Sequence, residues 1–266
     1  MMTFLFWNMR RTQRLDILCG LVREFDVDVL MLAENVLSAG KVVSQLNSLG
    51  TGGFHYNSGQ CERIDIFSKL KDIHIQPHFE SKHITIRHLK IPDLLLVIAH
   101  LPSKLRNSND SLAFYMAEMA RDIIKMENKM GHKRTVIVGD LNMNPFEMGM
   151  VAASGLHAMM DRKIAEKKQR KIQEKEYPFF YNPMWSLLGD ASHGPPGSHY
   201  YWKSEQVTYF WNMFDQVLLR PDVLPMFANS TLKIIDRVGD ISLLNRNGIP
   251  DKNISDHLPI LFQLNC

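Results

Sequence analysis

Arg134-Thr135-Val136-Ile137-Val138-Gly139-Asp140-Leu141-Asn142 is the stretch on which the reading of this chain turns. Arg134 to Val138 reads as a strand, most of it the β-branched run Thr135-Val136-Ile137-Val138. It opens into Gly139 and then into two polar groups, Asp140 and Asn142. Packing alone favours apolar side chains where a buried strand ends. An Asp and an Asn at such a place either cap a loop or serve chemistry.

Working outward, the same combination recurs. Thr3 to Trp7 reads as a short buried strand that ends on Asn8, and Val27 to Ala33 as another that ends on Glu34, followed by Asn35. Leu94 to Ala99 runs into His100-Leu101-Pro102-Ser103-Lys104. Asp215 stands at the mouth of the strand expected over 213–219, and Asp256-His257 precede the last strand, over 258–264. Each has a bland alternative: Asn8 as a helix cap, Asp256-His257 as a turn, His100 as a hydrogen-bonded core histidine, Asp215 as an exposed polar position.

Between these strands the periodicity predicts amphipathic helices over Arg10–Phe25, Ala39–Leu49 and Asp110–Met130. The last carries a methionine-rich stripe suited to core packing. From Phe54 to His100, β-rich runs at 64–67, 73–76, 84–89 and 94–99 follow one another without helices, and a further strand is expected at 231–235. This alternation implies a mixed or largely antiparallel sheet system covered by helices. No linker divides the chain, so one domain over 1–266 is expected, with an insertion at about 158–211. That insertion opens with a basic run, Arg162 to Lys175, read either as a solvated helix face or as a phosphate contact at a site rim. An aromatic, Gly/Pro-rich stretch follows, Tyr177 to Trp211, in which Tyr200, Tyr201 and Trp202 could stack on bases. His193 and His199 lie in Ser192–His199 and read as loop residues.

Hydrophobic residues make up 45% and charged residues 22% of the 266, which excludes wholesale disorder. A formal charge of +3 permits a polyanionic partner without requiring one. The three cysteines, Cys19, Cys61 and Cys266, fit neither a disulfide framework nor zinc spacing. The N-terminal apolar run is too short for a signal peptide, and no stretch approaches the ~18 apolar residues that span a bilayer. A cytoplasmic protein is the expectation. Carboxylates, amides and two histidines suit a hard divalent cation with oxygen ligands, together with acid–base groups.

Taken together, Trp7-Asn8, Glu34, His100-Leu101-Pro102-Ser103, Gly139-Asp140-Leu141-Asn142 and Ser255-Asp256-His257-Leu258-Pro259 resemble the endonuclease/exonuclease/phosphatase family, the DNase I-like fold. The resemblance runs in order from Asn8 to His257. It implies an α/β (α+β type) four-layer α/β/β/α sandwich, two largely antiparallel mixed sheets packed face to face with outer helices. It also implies a Mg2+-dependent phosphodiesterase, with Mn2+ as a substitute and nucleic acid, DNA or RNA, as substrate. Asn8, Glu34 and Asp256 would then hold the metal. Asp140 would orient the attacking water, Asn142 would donate to phosphate oxygens, and His257 would stand beside the scissile phosphate, oriented by Asp215. His100 matches a second histidine of the DNase I branch, with Glu62 as its candidate partner. Ser103, Lys104, Tyr209 and Trp211 are candidate substrate contacts. The other readings are a phosphatase or phospholipid phosphodiesterase of the same fold, or a non-catalytic binder of nucleic acid or protein. Leu32-Ala33-Glu34-Asn35 departs from the Leu-Gln-Glu run of many relatives, which argues against the apurinic-site repair branch.

Overall fold

The computed structural model describes residues 1–105 and 107–265, so Cys266 lies outside the described residues. In chain order the strands and helices are β1 (Met2–Asn8), α1 (Leu15–Glu24), β2 (Val29–Ala33), α2 (Ala39–Ser48), β3 (His55–Tyr56), β4 (Ile64–Ser68), β5 (Ile75–Glu80), β6 (Ile84–Lys90), β7 (Asp93–His100), α3 (Asn109–Met130) and β8 (Thr135–Asp140). They continue with α4 (Met148–Val151), β9 (Ala158–Met159), α5 (Arg162–Ala165), β10 (Gln169–Ile172), β11 (Lys175–Pro178), β12 (Phe180–Tyr181), β13 (His199–Tyr201), β14 (Phe210–Asn212), β15 (Asp215–Leu219), β16 (Lys233–Ile234), β17 (Arg237–Val238), β18 (Ile241–Ser242) and β19 (Ile260–Leu264).

One sheet has the order β16-β19-β1-β2-β4-β3, the other β5-β6-β7-β8-β15-β12-β9. Parallel pairing joins β1 to β2, β7 to β8 and β9 to β12, and the remaining neighbours within these two sheets are antiparallel. Side chains alternate across each strand, so every strand of the sandwich feeds two cores. Phe4, Phe6 and Met31 meet Leu96, Ile98, Val136, Val138 and Val217 between the sheets. Leu5, Trp7, Leu30 and Leu32 point outward onto α1 and α2, and Leu95, Val97 and Ile137 point outward onto the methionine stripe of α3. The result is four layers, α/β/β/α. Each such side chain taken wholly out of water contributes on the order of 1.5–3 kcal/mol, which explains why both faces of the central strands are apolar.

Three expectations are corrected. The first helix begins at Leu15 rather than Arg10, because residues 9–14 form a turn in which Arg10 and Arg11 both take left-handed backbone angles (φ 49° and 58°). Residues 72–74 form a 3-10 turn, so the strand expected from Ile73 starts at Ile75. The basic run is not one helix face: Arg162–Ala165 is helical, a turn follows, and Gln169–Ile172 pairs with Lys175–Pro178 as the β10/β11 ribbon, with three of its basic residues anchored away from the cleft. Arg162 Nη2 donates to the Leu224 carbonyl (2.7 Å), Lys168 pairs with Asp222 (2.8 Å), and Arg170 Nε donates to Nε2 of buried His157 (2.8 Å). Burial, then the Arg170 charge, push His157 down to about 4, so it stays a neutral acceptor. Asp222 and Leu224 follow the far end of β15, whose near end carries Asp215, and the basic run is anchored there. Among the described residues no helix is long and apolar enough to cross a membrane.

Gly139 controls how closely β7 and β8 approach. Its φ is +149°, and a Cβ at this position would lie 1.9 Å from the Ala99 carbonyl oxygen. Gly139→Ala must therefore push the two strands apart beside Asp140. The expected cost is about 3 kcal/mol or more, read as a fall in thermal-denaturation midpoint; an unchanged midpoint would contradict this account of the strand approach.

Candidate active site

Register explains why distant residues meet. His100 is opposite Asp140 in the β7/β8 pair, and Asp140 is opposite Asp215 in the β8/β15 pair. Residues opposite one another share a face of the sheet. That face is the inner one, because Leu96 and Ile98 precede His100 at even spacing, Val136 and Val138 precede Asp140, and Val217 and Leu219 follow Asp215. In the first sheet, Asn8 likewise continues the inward stripe of Phe4 and Phe6, and it is opposite Ala33, the residue before Glu34. The polar groups are thus the rim of the inter-sheet core, at the end where both sheets stop being apolar.

Side-chain contacts join the two rows. Asn8 Nδ2 donates to Asp140 Oδ2 (3.1 Å), a bridge between the sheets. His100 Nε2 lies 3.6 Å from Glu34 Oε1 and 3.8 Å from Asp140 Oδ2. His257 Nε2 lies 3.9 Å from the same Asp140 oxygen, and its Nδ1 is 2.8 Å from Asp215 Oδ2. The backbone N–H of Asn142 donates to Asp140 Oδ1 (3.0 Å). Asn142 itself takes a left-handed conformation (φ 50°), which asparagine tolerates well. Glu34 takes the same conformation (φ 50°), which interrupts strand alternation and turns its side chain toward the cleft. Its carboxylate is 36% exposed against 2% for Asp140, so Glu34 is the acid that solvent reaches.

The segment carrying His257 is pinned to β1 from below. Trp7 Nε1 donates to the His257 carbonyl (3.1 Å), and Ser255 Oγ donates to the Asn8 carbonyl (2.7 Å). The Asp215 backbone N–H donates to Ser198 Oγ (3.0 Å). Burial alone would lower the His257 imidazole and raise the Asp215 carboxyl. The Asp215 and Asp140 charges outweigh burial at His257 and push it up to about 10. The pair therefore holds its proton on the histidine side through neutral pH.

The structure brings together Asn8, Glu34, His100, Asp140, Asn142, Asp215 and His257. It does not join Glu62 to His100: Glu62 is exposed, and His100 faces Glu34 and Asp140 instead. Asn142 Nδ2 donates to the Leu101 carbonyl (3.0 Å), leaving one amide N–H for another partner. Asp256 is paired with Arg10 (Nε to Oδ2, 3.0 Å). Lys104 pairs with Glu147 and lies 5.5 Å from the ring centre of Phe214, next to Asp215. Ser103 Oγ accepts from the Leu105 N–H (3.2 Å) and so belongs to the local turn. Tyr209 is exposed against Phe146 (5.3 Å between ring centres), whereas Trp211 is half-buried on the outer side of the first sheet and meets Tyr200 (5.5 Å).

Two neighbours of the site are not legible in the sequence. His199 pairs in a β-bridge with His257, its ring centre 4.4 Å away and its other face on Phe214 (5.1 Å). Burial, then the positive charges of His257, Lys252 and Arg10, hold it well below its ordinary value. Arg10 reaches the site through the left-handed turn after Asn8. The only signal for either is proximity to a candidate: Arg10 is two residues from Asn8, while His199 lies in a glycine/proline loop and meets His257 only through long-range pairing.

The profile of the Endonuclease/Exonuclease/phosphatase family matches residues 5–257. Among solved structures, the chain is similar to an AP endonuclease from Archaeoglobus fulgidus (12% identity, 100% of both chains, TM-score 0.58). It is also similar to the 3' phosphatase NExo from Neisseria bound to a product DNA hairpin (14% identity, 100% of both chains, TM-score 0.56). A third is D. rerio TDP2 complexed with a single-strand DNA product (16% identity, 100% of this chain and 99% of that one, TM-score 0.53). These identities speak to the fold alone. No curated protein sequence matches. With its sandwich, its strand order and a family match spanning nearly its whole length, the chain belongs to the endonuclease/exonuclease/phosphatase family.

Proposed function

We propose that this protein is a divalent-cation-dependent phosphodiesterase acting on nucleic acid, with Mg2+ as the working ion and Mn2+ as a substitute. The observation that carries this reading is the meeting of Glu34, Asn8, Asp140, His100 and the Asp215–His257 pair at one edge of the sandwich. Family membership supports a phosphoester hydrolase, and the DNA complexes of NExo and TDP2 favour nucleic acid over a lipid head group.

The donor set fits a hard cation. Glu34 offers an open carboxylate, and the Asn8 side chain bridges to the Asp140 carboxylate on the same rim, a hard oxygen donor set. Glu34 with Asn8 would hold the ion, which when bound would neutralise phosphate oxygens that otherwise repel a nucleophile. Asp140 is fixed by Asn8 on one oxygen and by the Asn142 N–H on the other, the rigidity needed to aim a water. His257, protonated through neutrality, presents Nε2–H to the cleft. It is thus a hydrogen-bond donor to the developing charge and a proton source for the leaving oxygen, not a base. Asp215 fixes its orientation through Nδ1. His100 Nε2, between Glu34 and Asp140, sets the spacing of those two carboxylates.

The test uses purified protein with single- and double-stranded DNA, RNA and phospholipid head-group substrates, with Mg2+ or with EDTA. Mg2+-dependent cleavage of nucleic acid is expected, and Asp140→Ala or His257→Ala should lower the rate by about 10²–10⁴-fold. Wild type and both variants behaving alike on every substrate would end the catalytic reading, and cleavage confined to the lipid substrate would end the nucleic-acid one.

The charge state is testable without substrate. In metal-free protein the His257 ring should titrate by NMR at about 10. Asp215→Asn removes the nearest opposing charge and leaves burial less opposed, so the midpoint should fall by about two units or more. A midpoint near the ordinary histidine value in wild type would contradict the donor assignment.

A further inference from the structure

At the end of the sandwich opposite the cleft, two imidazoles and a carboxylate converge. Asp93 opens β7, whose other end is His100, and His132 precedes β8, whose other end is Asp140. The two ends of β7 lie about 23 Å apart at ~3.3 Å per residue. Local structure brings the three groups together. Lys90 is opposite Asp93 across the β6/β7 turn, so His88, two residues before Lys90, shares a face with Asp93. That face is the outer one, because Leu95, opposite His88, packs onto α3. The helix α3 ends at Gly131 in a left-handed conformation (φ 73°), and the Gly131 and His132 N–H groups both return to the Glu127 carbonyl. The chain thus doubles back and delivers His132 to the same outer face. His88 Nε2 lies 2.7 Å from Asp93 Oδ1, and His132 Nε2 lies 3.4 Å from the same oxygen. Arg134 Nη2 pairs with Asp93 Oδ2 and its Nε donates to the Asp93 carbonyl (2.6 Å), which fixes the carboxylate with Oδ1 toward the rings. His78 stands edge-on against His88, 5.5 Å between ring centres. The His132 side chain is only 10% exposed, yet its Nε2 is buried without a hydrogen-bond partner. A buried polar atom left unmatched calls for a physical reason.

We infer that His88, Asp93 and His132 form a metal site separate from the cleft, for a dication of the Zn2+ class. The inference is independent of the proposed reaction. One ligand atom from each residue, the three within 4.8 Å of one another, supplies two imidazole nitrogens and one carboxylate oxygen. That is the donor set of a three-ligand zinc site whose fourth position is left to water. Imidazole suits Zn2+, whereas Mg2+ and Mn2+ favour oxygen sets such as the one at Glu34. Arg134, on the second oxygen of Asp93, is the outer contact that orients a ligating carboxylate. The proton balance is explicit. The ion replaces the proton between His88 Nε2 and Asp93 Oδ1, which leaves to solvent. An imidazole ligated through Nε2 carries its proton on Nδ1, the atom that accepts the Arg134 N–H of His132's own loop at 3.2 Å. That long bond opens when the ion enters. The bound ion then staples the β6/β7 turn to the connection between α3 and β8.

The experiment is Zn2+ calorimetry on the full chain in excess Mg2+, which fills oxygen-donor sites, together with thermal melts and NMR of the histidine rings. Wild type should bind Zn2+ with a Kd tighter than about 10 μM. Zn2+ at about 100 times Kd should raise the melting midpoint by about 5 °C or more. The ring nitrogens of His88 and His132 and the Arg134 amide should shift on binding. His88→Gln and His132→Gln should each weaken binding at least tenfold and abolish the rise in midpoint. Glu34→Gln, at the cleft, should bind Zn2+ within about twofold of wild type. Melts without Zn2+ confirm that each variant is folded, and the ring shifts in wild type test the site without any substitution. No Zn2+ binding in the presence of Mg2+, equal binding by wild type and both histidine variants, ring signals that stay in place, or loss of the ion in Glu34→Gln would each overturn the inference.

Discussion

His100, Asp140 and Asp215 stand opposite one another across three adjacent strands, and this register is the constraint on which the cleft depends. A slip of one residue in either pair would turn a polar side chain to the outer face, where α3 covers the sheet with methionine and leucine. Gly139 keeps β7 and β8 close enough for the pairing to hold to its last residue. The row also carries a cost. Asp140 and Asp215 are both buried, and two carboxylates taken out of water side by side are unfavourable unless cations or donors face them. His257 lies against both, and the Asn8 amide and Asn142 N–H complete Asp140. The second sheet is therefore needed for the first row to exist: Asn8 comes from β1, and His257 is held by β1 through Trp7 and Ser255.

The same logic connects electrostatics to chemistry. A lone buried histidine is driven toward neutrality, as His157 and His199 are, one beside an arginine and the other beside an imidazolium. His257 is buried as deeply but lies between carboxylates, and it is driven the other way. Burial thus produces an acceptor at one place and a donor at another, according to the charge of the nearest neighbour. The carboxylate of Glu34, at the solvent side of the row, faces the His100 imidazole at 3.6 Å and is the acid of the row that solvent reaches.

Much of this was readable in the chain itself. The central strands announce themselves as apolar runs of five to seven residues because the sandwich buries both faces, and the polar group at the end of each run marks where the core gives out. Asn8, Glu34, His100, Asp140, Asn142, Asp215 and His257 could be named for that reason, and the family resemblance supplied their order. What sequence could not supply was long-range geometry. The Arg10 turn mimics the start of a helix, since its residues are ordinary helix formers, and only its contacts with Asn8, Glu34 and Lys252 reveal the left-handed angles. His199 sits in a loop whose composition gives no hint of its pairing with His257. The family resemblance points to Glu62 as the partner of His100, and the structure puts Glu34 in that place. The basic run looked like a phosphate surface because charge is visible in sequence, whereas its anchoring partners, His157, Asp222 and Leu224, lie up to about sixty residues away.

The central claim is that polar ends of strands from two sheets form one cation-dependent phosphate site centred on Glu34, Asn8 and Asp140. The most direct measurement is an anomalous-difference map from a crystal soaked in Mn2+. A single strong peak in contact with the Glu34 carboxylate, on the Asp140 side of the cleft, is the predicted result. A bound Mn2+ elsewhere, with none touching Glu34, would contradict the account.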